Sequence, residues 1–196
     1  YLKSNDLYPK AILITHKHYD HIGGVAGIKL QYPGVKIYGP KNSSFDFDYI
    51  VLEEGSTLSI EGIDIKLNVL ETPGHTDEHI AYYNDEVLFC GDTLFACGCG
   101  RLFEGTAEQM FNTLQKFKSL KPHTKVYCAH EYTLENIRFA MTLDKDNTHL
   151  NKRFDEDRLK SNTLPSTIEK EMATNPFLLA ENSEQFKVIR LKKDAF

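Results

Sequence analysis

Apolar positions form short runs through the first two thirds of the chain and fall at helical spacing after that. Ala11-Ile12-Leu13-Ile14-Thr15 follows Pro9 and reads as a buried strand that ends directly at His16. Gly23-Gly24 and a short helix to Gln31 come next. Val35-Lys36-Ile37-Tyr38 predicts a second strand, closed by Gly39-Pro40. Residues 49–70 are strand-like, and 63–69 alternate apolar with polar as a half-buried strand does. Thr72-Pro73-Gly74-His75 is a turn. Ile80-Ala81-Tyr82-Tyr83 and Val87-Leu88-Phe89-Cys90 flank Asn84-Asp85, which predicts a hairpin ended by Gly91-Asp92. Residues 106–120 give the clearest helix: Thr106 suits the N-cap, Met110, Phe111, Leu114 and Phe117 recur at helical spacing, and Pro122 stops it. Lys125-Val126-Tyr127-Cys128-Ala129 is a strand that runs into His130. Beyond Thr133 strand signals nearly vanish. Residues 134–143, 149–161, 166–172 and 184–193 read as helices, interrupted at Asn175-Pro176-Phe177. The shift near Tyr132 divides the chain into residues 1–132 and a helical unit, 133–196.

Composition narrows the class. The 196 residues are 41% hydrophobic and 26% charged, as in ordinary soluble globular proteins. A net charge of -5 carries no basic excess for nucleic acid. No apolar run is long enough for a bilayer, and the first residues do not read as a signal peptide. Cys90, Cys97, Cys99 and Cys128 lack the paired spacing of a structural zinc site and read as reduced thiols of a cytoplasmic protein. Cys97-Gly98-Cys99 is too tightly spaced for good disulfide geometry.

The chemistry concentrates in one run. His16, His18, Asp20 and His21 lie within six positions after an apolar strand, where polar groups are costly to strand without partners. His75, Asp92 and His130 follow at strand ends or turns, each beside a small residue (Gly74, Gly91, Ala129) that permits close backbone approach. Imidazole and carboxylate together suit zinc, iron or manganese. Seven such groups exceed one tetrahedral ion and suit two ions sharing a carboxylate, an arrangement that activates water and polarises a carbonyl or phosphoryl group. His123 and His149 read as ordinary structural histidines.

The run Thr15-His16-Lys17-His18-Tyr19-Asp20-His21 resembles the metallo-β-lactamase superfamily. So do Thr72-Pro73-Gly74-His75-Thr76, Phe89-Cys90-Gly91-Asp92-Thr93 and Cys128-Ala129-His130-Glu131-Tyr132. Within that superfamily the chain is similar to the glyoxalase II family, the hydroxyacylglutathione hydrolases. The stretch from Gly98 to Thr106, Asn175-Pro176-Phe177 and Arg190-Leu191-Lys192-Lys193-Asp194-Ala195-Phe196 carry that sharper likeness. The resemblance implies an α/β fold, an αββα sandwich followed by a small helical substrate-binding domain. It implies two divalent metals, zinc first with iron or manganese as alternatives. His16, His18 and His75 would hold one ion, Asp20, His21 and His130 the other, and Asp92 would bridge them, which makes Asp20 and Asp92 the catalytic carboxylates. His79 would support the ligands rather than bind metal. The implied reaction is hydrolysis of S-2-hydroxyacylglutathione, chiefly S-D-lactoylglutathione, by a metal-bridging hydroxide. That is the second step of methylglyoxal detoxification. Arg101, Phe103, Tyr132, Arg190 and Lys193 would contact the glutathione, in a monomer without nucleic-acid or membrane partners. Read without the resemblance, the basic C-terminus suits a solvated helix end.

Three departures stand out. Phe103 occupies a position where many relatives have a tyrosine, Glu78 precedes His79 where a glycine is common, and the family's first strands lie before the start of this sequence, so the first sheet is expected to be incomplete with an exposed edge. The alternative activities are an iron-dependent glutathione persulfide dioxygenase, disfavoured by Phe103-Glu104-Gly105-Thr106 and the helical C-terminus, and a metal-dependent nuclease, disfavoured by the acidic balance. A metal-binding but inactive chain is the remaining alternative.

Overall fold

The computed structural model describes residues 1–196. Strands β1 (Ala11–Leu13), β2 (Lys36–Pro40) and β3 (Ile50–Leu52) form a parallel three-stranded sheet in the order β1-β2-β3. The crossover from β1 to β2 carries helices α1 (Tyr19–Ile22) and α2 (Val25–Gln31). A second sheet has the order β11-β10-β7-β6-β5-β4. In it β4 (Thr57–Ser59), β5 (Lys66–Glu71), β6 (Ile80–Tyr83) and β7 (Val87–Gly91) run antiparallel in succession, and β10 (Lys125–Cys128) joins β7 in parallel. Between β7 and β10 lie the small hairpin β8 (Leu94–Phe95) and β9 (Gly98–Cys99), then helix α3 (Ala107–Lys118). Helices α4 (Thr133–Leu143), α5 (Thr148–Asp157), α6 (Ile168–Thr174), α7 (Pro176–Leu179) and α8 (Ser183–Asp194) complete the chain, with β11 (Ser166–Thr167) between α5 and α6.

Three apolar layers order these elements as an αββα sandwich. Ile14, Val25 and Ile37 pack the small sheet against α1 and α2. Tyr38 and Leu52 of that sheet meet Leu58, Leu67, Val69, Ile80 and Tyr82 of the large one. The opposite face of the large sheet, through Ala81, Leu88, Cys90 and Val126, packs on Met110, Leu114 and Phe117 of α3 and on Phe177 and Phe186. The two sheets are also stitched together: the Tyr82 hydroxyl donates to the Ile14 carbonyl at 2.7 Å and the Ile80 N–H to the Thr15 carbonyl at 2.9 Å. No helix is long and apolar enough to cross a membrane.

Local expectations hold where a local cause fixes them. Thr106 and Gln109 form a reciprocal capping box on α3. Asn84 Oδ1 accepts the N–H groups of Glu86 and Val87 and closes the β6–β7 hairpin. Three details differ. Residues 63–65 form a turn before β5, although the alternation covers them, because Ile63 and Ile65 hydrogen-bond within the turn. Ser166–Thr167 is a strand, since β10 offers it a free edge, and Thr167 then caps α6. Helix α5 ends at Asp157, four residues before the expected end, and Lys160 turns back to pair with that carboxylate at 2.7 Å.

The helical segment is bolted to the sandwich by a buried ionic network. Arg153 donates to Glu171 Oε1 at 2.7 Å and to Thr174, and its Nε lies 3.4 Å from Asp157. Glu171 Oε2 in turn accepts the Cys97 N–H at 2.7 Å and the Asn175 amide at 2.9 Å. That amide also reaches the carbonyls of Phe95 and Gly98. The turn between β8 and β9 thus hangs from the helices by a chain of satisfied charges. Removing one member leaves another charge buried and unpaired, so Arg153→Met is expected to lower the unfolding free energy by about 3–5 kcal/mol. Arg158→Met removes only a surface pair with Asp155 and is expected to cost about 0–1 kcal/mol. Urea titration of both variants measures the contrast.

Candidate metal centre

All seven candidate ligands gather where strand ends from both sheets meet. His16 and His18 lie in the loop after β1, with His18 at the N-cap of α1, which carries Asp20 and His21. His75 lies between β5 and β6, Asp92 directly follows β7, and His130 follows β10. Asp92 depends on Gly91, whose φ of 49° is in the left-handed region and whose place a Cβ would deny by meeting Thr15 Oγ1 at 2.5 Å and His79 Nε2 at 2.8 Å. Gly74, at φ 148°, likewise lets the His75 loop lie against Met110 of α3.

Hydrogen bonds at the backs of the rings set which nitrogens face inward. His75 Nδ1 donates to the Arg101 carbonyl at 2.8 Å, so its Nε2 presents a lone pair. His16 Nδ1 lies 3.1 Å from Thr15 Oγ1 and leaves Nε2 free in the same way. Both free nitrogens converge on His18 Nδ1, at 3.1 Å from His16 and 3.0 Å from His75. On the other side Asp20 Oδ2 lies 3.4 Å from both His21 Nε2 and His130 Nε2. Asp92 spans the two groups: Oδ1 is 3.4 Å from His21 and 3.5 Å from His130, and Oδ2 is 3.5 Å from His75.

These separations test the fit to metal. Ligand atoms at 2.0–2.1 Å around a tetrahedral ion sit roughly 3.3 Å from one another. The observed 3.0–3.5 Å spacings match that edge length. Two of the buried atoms, His21 Nε2 and Asp92 Oδ1, lack any hydrogen-bond partner, as atoms reserved for an ion do. Three His/Asp triplets satisfy metal-ligand proximity: His16-His18-His75, His16-His21-Asp92 and Asp20-His21-His130. The residues present therefore fit divalent metal.

Electrostatics agrees. Burial, then the neighbouring imidazoles, drives the pKa of His16 far below the ordinary histidine value. Burial also lowers that of His75, against its bond to the Arg101 carbonyl. For His21 burial is outweighed by the carboxylates of Asp92 and Asp20, and its pKa rises. Burial would raise the Asp92 pKa, but His21, His75 and His130 hold it low. Neutral rings at His16 and His75 beside an ionised Asp92 carboxylate make a site for cations.

His79 has both ring nitrogens engaged by the protein. Its Nε2 accepts the Asp92 N–H at 3.2 Å, and its Nδ1 lies 2.7 Å from Thr72 Oγ1 and 3.1 Å from Thr93 Oγ1. Sequence reasoning assigned neither threonine a role, although both stand inside the quoted motifs. Glu78 needs no left-handed backbone, so the side chain at that position does not disturb the turn. His123 and His149 are exposed and outside the cluster.

The centre opens into a cleft of about 400 Å³ whose lining includes His75, Asp92, Arg101, Phe103, Tyr132 and Lys193. Arg190 lines it too, yet is buried and committed: it donates to the Cys99 carbonyl at 2.9 Å and pairs with Asp194 at 2.9 Å. Lys193 lies over the rings of Phe139 and Phe196, with Glu135 at 3.5 Å. Partial burial lowers its pKa against the pull of Glu135. Phe103 sets its ring edge-on to His18 and His75, with centroids at 5.5 and 5.2 Å. The cysteines supply no redox pair: all four are free, and burial pushes Cys97 up to about 12 and Cys99 up to about 11.

Residues 2–130 match the sequence model of the metallo-beta-lactamase superfamily, and residues 131–196 match that of the hydroxyacylglutathione hydrolase C-terminus. A hydroxyacylglutathione hydrolase of Nitrosomonas eutropha is 50% identical over 182 residues, spanning 91% of this chain and 71% of the relative. One from Aliivibrio fischeri is 46% identical over 196 residues, 97% of this chain and 77% of the relative. Among solved structures, ETHE1 from Myxococcus xanthus superposes with a TM-score of 0.73 at 24% identity, covering 99% of this chain and 72% of that one, a likeness of fold.

Burial lowers the pKa of His79 from 6.5 to about 3. Between those values the unfolded chain binds a proton that the folded chain refuses, so stability falls as pH drops through this window. The metal-free protein is expected to lose unfolding free energy from pH 6.5 downward, and His79→Gln to reduce that slope by about one proton. Denaturant titrations across pH, parent against variant, check it.

Proposed function

We infer the activity from one premise: the chain belongs to the metallo-beta-lactamase superfamily and, within it, to the hydroxyacylglutathione hydrolases. It is a hydrolase that cleaves S-2-hydroxyacylglutathione, chiefly S-D-lactoylglutathione, to glutathione and the 2-hydroxy acid. The observation that carries this reading is a His/Asp cluster at metal-ligand spacing that opens directly into a cleft with basic side chains. The C-terminal family match and the curated relatives favour it over the persulfide dioxygenase.

The donor set suits divalent metal. In our reading His16, His18 and His75 would hold one ion, Asp20, His21 and His130 a second, and Asp92 would be shared between them, with zinc first and iron or manganese as alternatives. When bound, such ions supply Lewis acidity and acidify water. The chain's own groups do the rest. Asp92 presents one carboxylate oxygen to each half of the site, and His79 fixes its backbone. Arg101 and Lys193 would receive the carboxylates of glutathione, and Tyr132 and Phe103, which line the same cleft, would contact it beside them. Arg190 shapes the wall through Cys99 and Asp194. Thiolate departs readily, so this reaction asks for no dedicated general acid. Residues 1–132 would form the catalytic unit and 133–196 the substrate-binding one, in a cytoplasmic monomer.

Metal-loaded protein is expected to hydrolyse S-D-lactoylglutathione, with loss of absorbance at the thioester band, and Asp92→Ala to abolish this. Oxygen consumption with glutathione persulfide, without thioester cleavage, would sink the reading. Lys193→Met is expected to raise KM about tenfold, the equivalent of about 1.4 kcal/mol, with kcat nearly unchanged. Steady-state kinetics separates the two parameters.

A further inference from the structure

Three loops carry the His16-His18-His75 half of the site and its aromatic wall, and they arise from different parts of the chain. On their outer side they are joined by charge. Lys17 stands between His16 and His18; its ammonium lies 2.7 Å from Glu104 Oε1 and 3.6 Å from Glu78 Oε2. Its own N–H donates to Glu78 Oε1 at 3.0 Å. Glu104 Oε2 accepts the Asp77 N–H at 3.0 Å. Glu78 and Asp77 belong to the His75–His79 loop, and Glu104 adjoins Phe103. One ammonium and two carboxylates therefore tie residues 15–18, 75–79 and 101–105 together.

This differs from an ordinary surface pair. The Glu78 side chain is only 5% exposed, and its Oε2 has no hydrogen-bond partner, so the Lys17 charge is its compensation. Each contact also acts on backbone: Glu78 on the amide between two histidines, Glu104 on the amide two residues after His75. We propose that Lys17, Glu78 and Glu104 form an ionic clamp that positions the histidine loops and slows the escape of metal from the His16-His18-His75 half of the site. The proposal rests on the metal assignment above. Its residues touch neither metal nor substrate; they act through the ligands.

The test is metal release from zinc-loaded protein into excess chromogenic chelator, with zinc content fixed beforehand by elemental analysis. Lys17→Met is expected to release zinc about tenfold faster. Glu104→Gln is expected to do the same, and the double variant to be no faster than either single one, since both break one clamp. Lys17→Arg, which keeps a cation between Glu78 and Glu104, is expected to recover most of the slow release that Lys17→Met loses, which loss of the charge alone explains. Glu78→Gln keeps the acceptor for the Lys17 N–H and covers the case in which Lys17→Met fails to fold: release accelerated by this variant supports the clamp. Unchanged release in folded Lys17→Met and Glu104→Gln, with zinc-loaded parent, overturns the clamp alone. A parent that takes up no zinc, iron or manganese overturns the metal reading and the clamp together.

Discussion

The buried rings of His16, His75 and His79 must stay neutral, and that constraint organises the site around them. The His16 ring centroid lies 4.0–4.9 Å from those of His18, His21, His75 and His79. Protonating one would set a charge beside its neighbours with little water to screen it. Each buried ring is therefore given a hydrogen-bond acceptor behind it or a donor in front of it. The acceptors come from Thr15, Thr72 and the Arg101 carbonyl, the donor from the Asp92 backbone. Lone pairs with no protein donor left to satisfy them point into one volume, and a cation is the species that satisfies several at once.

The sandwich serves this arrangement by bringing the ends of β1, β5, β7 and β10 to one place, but the cleft beside it is made by the helices. The turn from Phe95 to Cys99 faces the cleft on one side and hangs from Glu171 and Asn175 on the other. Asn136 of α4 adds a bond to the Ala96 carbonyl. The α4–α8 segment is thus tied to the turn beside the histidine cluster through buried, satisfied polar groups.

How much was readable in the sequence follows from how local each cause is. The run from His16 to His21, the capping box at Thr106 and the Asn84-Asp85 turn all have causes within a few residues, and each reads directly. The two-residue strand at Ser166 has none: it exists because β10 presents an edge that only the folded sheet creates. The alternation over residues 63–65 misleads for the same reason, since periodicity does not say where a partner strand begins. The sequence also presents Arg190 and Lys193 as equivalent cations. The fold buries one against Cys99 and Asp194 and leaves the other facing a weak, exposed partner. Lys17 looks like a spacer between ligands until Glu78 and Glu104, 61 and 87 positions later, come within reach of it.

In the proposed reading, that inequality among the cations is how a chain of net charge -5 would receive an anionic tripeptide. The cleft does not rely on a broad positive field, since Glu135 and Asp194 sit among Arg101, Arg190 and Lys193. The carboxylates hold the cations in place before substrate arrives, at different strengths. Arg190 meets Asp194 at 2.9 and 3.1 Å within one helix turn and has its third nitrogen, Nη1, on the Cys99 carbonyl, so exchanging these contacts for substrate would gain little. Lys193 meets the exposed Glu135 at 3.5 Å, and Arg101 meets Asp194 at 3.6 Å near the surface. Contacts that long are cheap to give up for a carboxylate arriving in a partly desolvated cleft. Recognition in that reading would depend on where Arg101 and Lys193 stand relative to the histidine cluster, and so on geometry more than on net charge.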